Sequence, residues 1–589
     1  MDKITRLFEI PYHQLNNYPL DIAFSDKRNG EWTKVSTQDY INQANAVSRG
    51  LLKLGVKPGE KIAIISATNR SEWHICDIGI QQVGAIGVPI YPTITEEDYT
   101  YIFNDAEVSY CIVSDLDLYK KVTNVKKDVP TLKDIFIFDD EDDAKSWREL
   151  HADADEKLDM EIETIKNGIE HEDLVTLIYT SGTTGRPKGV MLTHKNLISN
   201  VVASAPRIPV VSGEKAVSFL PICHVYERMI LYLYQYTGIK VYFAESIDKV
   251  GDNLKEVQPE VFTAVPRLLE KVYDKIIAKG EALTGLKYKL FFWAVKIGNE
   301  YELEGKSGFY NLKLKIARKL IFSKWQEALG GNIKAVPCGS AALQPRLARI
   351  FMAAGIPVLE GYGLTETSPV LTVNYLGKGN CKFGTTGKAL ENVQLKIADD
   401  GEILAKGPNV MVGYYKNPEK TKEVFTEDGW FMTGDIGEID ADGFLKITDR
   451  KTEMFKTSGG KYVAPQVMEN KFKESRFIEQ IMVIGEGEKH PAALIVPTFE
   501  FVFEWCKRKH INCGSTPEDL IKNDKVIERI AKEVDFYNNN FGKTEKIKKF
   551  ELVPHQWTVE TGELTPTMKP KRKVIKEKYK DLFMKIYGE

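Results

Sequence analysis

Between Lys61 and Ser114 the chain alternates two hydrophobic patterns. Lys61-Ile-Ala-Ile-Ile-Ser66, Gly84-Ala-Ile-Gly-Val-Pro-Ile90 and Ser109-Tyr-Cys-Ile-Val-Ser114 are short apolar runs of strand length, while residues 69–82 and 96–104 carry helical spacing. Strands separated by helices pair in parallel, with the helices covering the sheet faces. The expected class is therefore α/β, in layers around a largely parallel sheet.

At 589 residues the chain exceeds what one hydrophobic core organises, so two or more domains are expected. From Phe383 the texture changes to short strands and turns, with hairpin signals at Asp399-Asp-Gly401 and Asp440-Ala-Asp-Gly443. This reads as a small β-rich subdomain attached to a large multi-layer N-terminal domain with parallel-rich sheets. After Thr448 the character changes again, and a boundary at 449–451, directly behind a predicted strand, divides residues 1–448 from a smaller α+β domain at 449–589. Residues 268–325 are helical in pattern and rich in aromatics and lysines. The acidic stretch from Asp139 to Glu156 reads as a solvated loop or surface helix.

Apolar residues at 43% and charged residues at 28% suit a soluble globular protein, and a formal net charge of −3 gives no reason to expect nucleic acid binding. Seven scattered cysteines, with no Cys-x-x-Cys pair, suit a reducing compartment and argue against structural zinc. No apolar run approaches the roughly 18 residues of a membrane span, and the first residues lack the apolar core of a signal peptide. The expected location is cytoplasmic.

The loop Tyr179-Thr-Ser-Gly-Thr-Thr-Gly-Arg-Pro-Lys-Gly189 packs four aliphatic hydroxyls, three glycines and two cations between two predicted strands. Glycine backbone approaches oxyanions closely, hydroxyls donate hydrogen bonds, and Lys188 supplies a mobile charge. Alone, such a loop is as readily a surface turn. It is not a P-loop, because no Gly-Lys-Ser/Thr follows four residues after a glycine and no helix opens behind the lysine. Other motifs follow: Glu360-Gly-Tyr-Gly-Leu-Thr-Glu-Thr-Ser-Pro369, Gly429-Trp-Phe-Met-Thr-Gly-Asp-Ile-Gly437, Thr448-Asp-Arg-Lys-Thr-Glu-Met-Phe-Lys-Thr-Ser-Gly-Gly-Lys461 and Leu564-Thr-Pro-Thr-Met-Lys-Pro-Lys-Arg572.

Together, and in this order, the five motifs resemble the AMP-forming acyl-CoA synthetases of the adenylate-forming superfamily, most closely their long-chain fatty acid branch. The resemblance implies ATP, Mg2+ and coenzyme A as cofactor and co-substrates, with a fatty acid as acyl donor. It implies that Thr180, Ser181, Gly182, Thr183, Thr184, Gly185 and Lys188 hold the phosphates, and that Glu366 binds the metal. Magnesium prefers one or two carboxylates beside phosphate oxygens and water, so one glutamate suffices. Thr365 would reach the α-phosphate and Tyr362 the adenine, flanked by Gly361 and Gly363. The small-residue turn Gly339, Ser340, Ala341 would form the other adenine wall, Asp435 would hold ribose, and Arg450 would contact ribose or phosphate.

The same resemblance makes Lys569 the cation between fatty carboxylate and α-phosphate. Many superfamily members carry Gly directly before this lysine, where Met568 stands here, and the Lys-x-Lys-Arg spacing keeps Lys571 as a second candidate. A mobile C-terminal domain hinged at 449–451 would withdraw Lys569 after adenylation and present Ser458, Gly459 and Gly460 for CoA. His224 matches a family motif near the acyl entrance, where a helix-capping histidine is an equal reading. Tyr226 could gate the tunnel, and Tyr232, Tyr234 and Tyr236 could line it or simply pack.

Residues 310–325 hold five cations and no acid, with Leu312, Ile316 and Leu320 on one helical face. Either that face packs inward or the segment rests peripherally on an anionic membrane. Oligomeric state is not legible. Other readings remain open beside the ligase. They are activation of a medium-chain, aryl or bile acid, delivery to acyl carrier protein, and a catalytically silent acyl or nucleotide binder.

Overall fold

The computed structural model describes residues 4–180, 186–565 and 568–588. Its largest sheet has seven strands in the order Gly413–Tyr414, Lys188–Thr193, Leu174–Thr180, Ile86–Ile90, Lys61–Ile65, Val108–Val113, Asp134–Ile137. The five strands from Leu174–Thr180 onward pair in parallel, as the alternating pattern predicts, while Lys188–Thr193 and the short Gly413–Tyr414 add antiparallel at one edge. A second sheet of five strands runs Val261–Phe262, Lys215–Ser218, Lys240–Phe243, Phe24–Arg28, Glu31–Trp32.

Helix Ser71–Gln82 is buried along its whole length, which explains an apolar pattern with little facing bias. It starts two residues later than the sequence suggests, because Asn69 does not cap it. The Asn69 amide instead donates to Ser218 Oγ and the Leu220 carbonyl, both at 2.7 Å, and accepts from the Ile222 N–H. The orphan Ser71 N–H is met from outside by Asp26 at 3.0 Å.

The helical segment resolves into helices Pro266–Glu281, Gly285–Asn299, Gly308–Ala317 and Ser323–Ala328, with a π-helical turn at Arg318–Phe322. Both hairpin signals hold. Ile397 pairs Ile403 around Gly401, and Ile439 pairs Leu445 around Gly443, with both glycines at positive φ. These hairpins belong to a four-stranded sheet, Gln394–Ile397, Glu402–Lys406, Phe431–Ile439, Leu445–Arg450. Its last strand runs through Asp449 and Arg450, so it overlaps the expected boundary rather than ending before it.

The C-terminal part is built on strands Ile478–Ile484, Ala492–Pro497 and Lys549–Leu552. Successive side chains of a strand point to opposite faces. Ile481, Val483, Ala493 and Ile495 accordingly join one core with Phe472, Val502 and Ile530, whereas Met482, Ile484, Leu494 and Val496 join another with Trp557 and Ile575.

Strand Val358–Gly363 carries one of the sequence motifs and pairs antiparallel with Val370–Val373, with a register irregularity at Tyr362/Gly363. A Cβ on Gly363 would lie 1.7 Å from the Pro369 carbonyl oxygen, so this glycine is demanded by its own hairpin rather than by a ligand. Gly361 is less confined, with Thr372 O 3.2 Å from the same construction. Gly363→Ala is therefore expected to cost about 1–3 kcal/mol or more. Thermal melting should show a larger fall in midpoint for Gly363→Ala than for Gly361→Ala, and equal midpoints would refute the steric argument.

Candidate active site

The antiparallel pair Leu174–Thr180/Lys188–Thr193 sets Thr180 directly opposite Lys188 at the mouth of the hydroxyl-rich loop. Ser181, Gly182, Thr183, Thr184 and Gly185 lie outside the described residues. The Lys188 ammonium rests 4.8 Å from the centre of the Tyr414 ring, and the Tyr414 hydroxyl donates to Glu366 Oε1 at 2.9 Å. Glu366 sits in the 3-10 turn Thr365–Thr367, which is held by Met411 N–H to the Glu366 carbonyl and Asn409 to the Thr367 carbonyl, each 2.8 Å. Burial lowers the pKa of Lys188, reinforced by Lys420 and opposed by Glu366 and Glu423.

A magnesium ion fits this corner. Glu366 offers a hard carboxylate with one oxygen fixed by Tyr414, and among the described residues no group of three or more His, Cys, Asp or Glu could hold a metal alone. Phosphate oxygens and water would complete such a shell. Tyr414 escapes sequence reasoning because it reaches the site through a two-residue edge strand, a pairing that leaves no local pattern.

On the next side, Asp435 pairs in register with Arg450 across strands Phe431–Ile439 and Leu445–Arg450. One carboxylate oxygen accepts the Tyr362 hydroxyl at 2.6 Å, and the other lies 3.3 Å from Arg450 Nε. Burial raises the Asp435 pKa, and Arg450, Tyr362 and Lys569 oppose the rise. Tyr362 is thus locked by the residue expected to hold ribose. Ser340 follows strand Val336–Cys338 in a left-handed conformation, φ +70°, and with Ala341 it is exposed. A Cβ on Gly339 would stand 3.6 Å from both the Tyr226 ring and the Gly361 carbonyl, so the small-residue turn borders the Tyr362 strand and Tyr226.

Lys569 arrives from the C-terminal part on a short turn. Thr565 N–H donates to the Lys569 carbonyl at 2.8 Å, Lys569 N–H to Thr565 Oγ1 at 3.1 Å, and Lys571 N–H to the Glu563 carbonyl at 2.7 Å. Met568 adopts φ +62°, the left-handed region that glycine tolerates best. The charges nearest Lys569 are Arg450, Asp435, Glu453 and Glu366, yet no ion pair forms within 4 Å among the described residues. Burial first, then Arg450, pushes its pKa down to about 8. Lys571 takes the N-cap position of helix Arg572–Lys578 instead.

His224 caps helix Val225–Thr237, its Nδ1 accepting from Tyr226 N–H at 3.1 Å. Burial and the Lys569 charge push its pKa down to about 4, so it is neutral. With Nδ1 accepting, the proton belongs on Nε2, where it can be donated to an anion. His224 is therefore both a cap and a neighbour of Lys569. Tyr232 and Tyr234 are fully buried in the core, and Tyr236 stacks on His13 at 4.7 Å, so this row packs the fold. Ser458, Gly459 and Gly460 form the exposed turn of hairpin Phe455–Lys456/Tyr462–Val463. Among the described residues, Ser458 N–H donates to the Glu488 carbonyl and Gly460 N–H to the Thr457 carbonyl, so the turn's hydrogen bonds stay within the C-terminal part.

Residues 12–415 match the AMP-binding enzyme family, and residues 453–589 match the AMP-binding enzyme C-terminal domain. The chain is 36% identical over 567 residues to the long-chain-fatty-acid–CoA ligase FadD15 of Mycobacterium bovis, covering 95% of this chain and 93% of that one. It is 31% identical to fatty acyl-CoA synthetase A of Dictyostelium discoideum, covering 96% and 87%, and 33% identical to long-chain-fatty-acid–CoA ligase 5 of Rattus norvegicus, covering 95% and 85%. Among solved structures, the adenylation domain of a carboxylate reductase from Mycobacterium chelonae superposes with a TM-score of 0.77 at 22% identity, covering 99% of this chain and 91% of that one. The anthranilate CoA ligase AuaEII, in complex with anthranoyl-AMP, superposes at 0.71 with 19% identity and 98% coverage of both. These two likenesses establish the fold. By its sequence matches, the chain belongs to the family of AMP-binding enzymes.

Proposed function

We propose that this protein activates a long-chain fatty acid with ATP and transfers the acyl group to coenzyme A. In the first step a carboxylate oxygen attacks the α-phosphorus. The new O–P bond forms as the bond to the bridging oxygen breaks, and pyrophosphate leaves. In the second, the CoA sulfur attacks the carbonyl, the thiol gives up its proton, and AMP departs with the anhydride oxygen. The observation that carries this reading is the placement of Lys569, which makes no ion pair within 4 Å among the described residues, within electrostatic reach of His224, Asp435 and Glu366. A cation in that state gains most from an anion, and two anions meet here in the first step.

The residues divide the work by position. Thr180 and Lys188 border the phosphates, and Asp435, Tyr362 and Arg450 form the ribose and adenine side with the Gly339 turn. His224 Nε2–H is a donor for the fatty carboxylate. Magnesium at Glu366 would screen phosphate charge. Preorganised charge aimed at the transition state is usually the largest catalytic term, and losing one such group costs about 10²–10³ in rate.

The second step needs space where Lys569 stands. We assign residues 449–589 to a domain that rotates about 449–451, bringing the Ser458–Gly460 turn to the acyl-adenylate. Its docking in the present arrangement rests on ion pairs of Arg267 with Glu479 and of Glu281 with Arg476, and on Lys451 with Asp400 and Glu402. Each of these pairs keeps at least one partly exposed partner, although Glu402 and Glu479 are more buried, so the pairs can be exchanged at modest cost.

Fatty acid is collected at an anionic membrane surface in this reading. No helix among the described residues is long and apolar enough to cross a membrane. Phe309, Leu312, Ile316 and Leu320 recur three or four residues apart and are exposed, as are Leu286 and Tyr288 on the helix before. Lys313, Lys315, Lys319 and Lys324 flank the first four. Apolar side chains for the acyl boundary and lysines for the headgroups suit an interfacial helix.

Three measurements test the proposal. Lys569→Ala should slow acyl-adenylate formation about 10²-fold or more, leaving thioester formation from preformed adenylate near the wild-type rate; equal losses in both half-reactions would contradict the assignment. Because Lys569 is charged only below its pKa of about 8 in the free enzyme, kcat/KM for adenylation should fall as pH rises through about 8. His224, already neutral, should add no limb between pH 5 and 7. In flotation with phosphatidylglycerol-containing vesicles at low salt, wild-type protein should rise with the lipid and Leu312→Glu/Ile316→Glu should not. Identical behaviour of the two proteins would refute the docking face.

A further inference from the structure

Helix Val225–Thr237 carries His224 at its start and holds two consecutive buried charges, Glu227 and Arg228, 1% and 0% exposed. They point to different sheets. Glu227 accepts from Ser218 and Thr263, both at 2.5 Å, tying the helix to the five-stranded sheet. Ser218 also accepts from Asn69, which holds the Leu220–Ile222 stretch leading into His224.

Arg228 reaches the seven-stranded sheet. Its Nη1 donates to Thr176 Oγ1 at 2.7 Å, its Nη2 to Asp77 Oδ1 at 2.6 Å, and its Nε to the Tyr232 hydroxyl at 3.1 Å. Tyr232 and Gln81 complete the shell by donating to the other Asp77 oxygen. Thr176 in turn donates to the Gly87 carbonyl at 2.7 Å.

The placement of these groups follows from the first helical turn and from the strand pleat. Arg228 lies one turn after the N-cap His224 and its N–H donates to the His224 carbonyl, so the two are joined directly through the start of the helix. Thr176 lies four residues before Thr180 on one strand, and therefore on the same strand face. The Arg228–Thr176 bond thus joins the element bearing His224, on the acyl side, to the strand that opens the phosphate loop. A buried ion pair is poor evidence of stabilisation, since apolar residues of similar volume often serve as well or better. Registration of two elements is what this one supplies.

We propose that Arg228 is a positioning residue for the first half-reaction, holding His224 and Thr180 at the separation that in-line attack on the α-phosphorus requires. This rests on the adenylating reading of the site. Misplacement on the order of 1 Å can cost about 100-fold in rate, so loss of the bond should act on the chemical step more than on binding.

Thr176→Val removes the hydroxyl bridge and Thr176→Ser retains it, both without touching the Asp77–Arg228 pair. In single-turnover assays on the full chain with ATP, magnesium and palmitate, Thr176→Val should lower the adenylation rate constant at saturating substrates about 10-fold or more. KM for ATP should stay within about 3-fold, thioester formation from preformed acyl-adenylate should be unchanged, and Thr176→Ser should recover the rate. Asp77→Leu/Arg228→Met should show the same rate loss with a thermal midpoint at or near the wild-type value. Full adenylation rate in Thr176→Val or in the double variant would overturn the inference, as would rate losses that merely follow the midpoint. If wild-type protein forms no adenylate with any acid, the functional reading fails instead.

Discussion

Asp435 draws three strands to one point. It accepts from Tyr362 on Val358–Gly363, lies on Phe431–Ile439 itself, and faces Arg450 on Leu445–Arg450. A carboxylate buried this far must be paired or protonated. Here a phenol and a guanidinium share the task, and both come from segments carrying their own motifs. One residue before Arg450, Asp449 accepts from the Gln466 N–H at the start of helix Pro465–Phe472. Glu469 on that helix pairs with Arg572, three residues beyond Lys569. A connected run of polar contacts therefore leads from the Asp435 cluster into the C-terminal part and back to the segment that carries Lys569.

The parts of the fold governed by local periodicity were legible in the sequence. The parallel sheet follows from strands separated by helices, and Asp399-Asp-Gly401 and Asp440-Ala-Asp-Gly443 turn as hairpins because glycine accepts positive φ there. What the pattern could not supply was which apolar face a helix buries. Helix Gly308–Ala317 is apolar on two sides. Tyr310, Leu314 and Ala317 go inward, which leaves Leu312 and Ile316 outside, although their spacing reads equally well as a core stripe.

The site divides along the same line. Lys188, Glu366, Asp435 and Lys569 stand in motifs, and the fold brings them within electrostatic reach of one another. Tyr414, Thr176 and Asp77 do not stand in motifs, and each works through a partner distant in sequence, Glu366 or Arg228. Such pairings are set by strand order and helix packing and leave no trace in spacing. His224 shows the converse, since the structure gives the capping reading and that cap is compatible with the second one. Capping the helix through Nδ1 is what leaves Nε2–H as the donor.

On the function proposed for this site, charge at Lys569 also gives the two half-reactions a direction. With its pKa lowered to about 8, the folded protein binds fewer protons than the unfolded chain between pH 8 and 10.5, so this residue's contribution to stability rises with pH across that window. Below it, the docked cation is a standing electrostatic cost. A fatty carboxylate and the triphosphate relieve that cost, so substrates favour the arrangement in which Lys569 is docked. Forming the mixed anhydride neutralises the carboxylate, and departing pyrophosphate removes most of the remaining negative charge. What is left facing the lysine is the single negative charge of the acyl-substituted phosphate, while Arg450 still repels the lysine. In the proposed mechanism the chemistry of the first step thus weakens the interaction that holds the small domain in place, and the acceptor thiol needs the space the lysine would then leave.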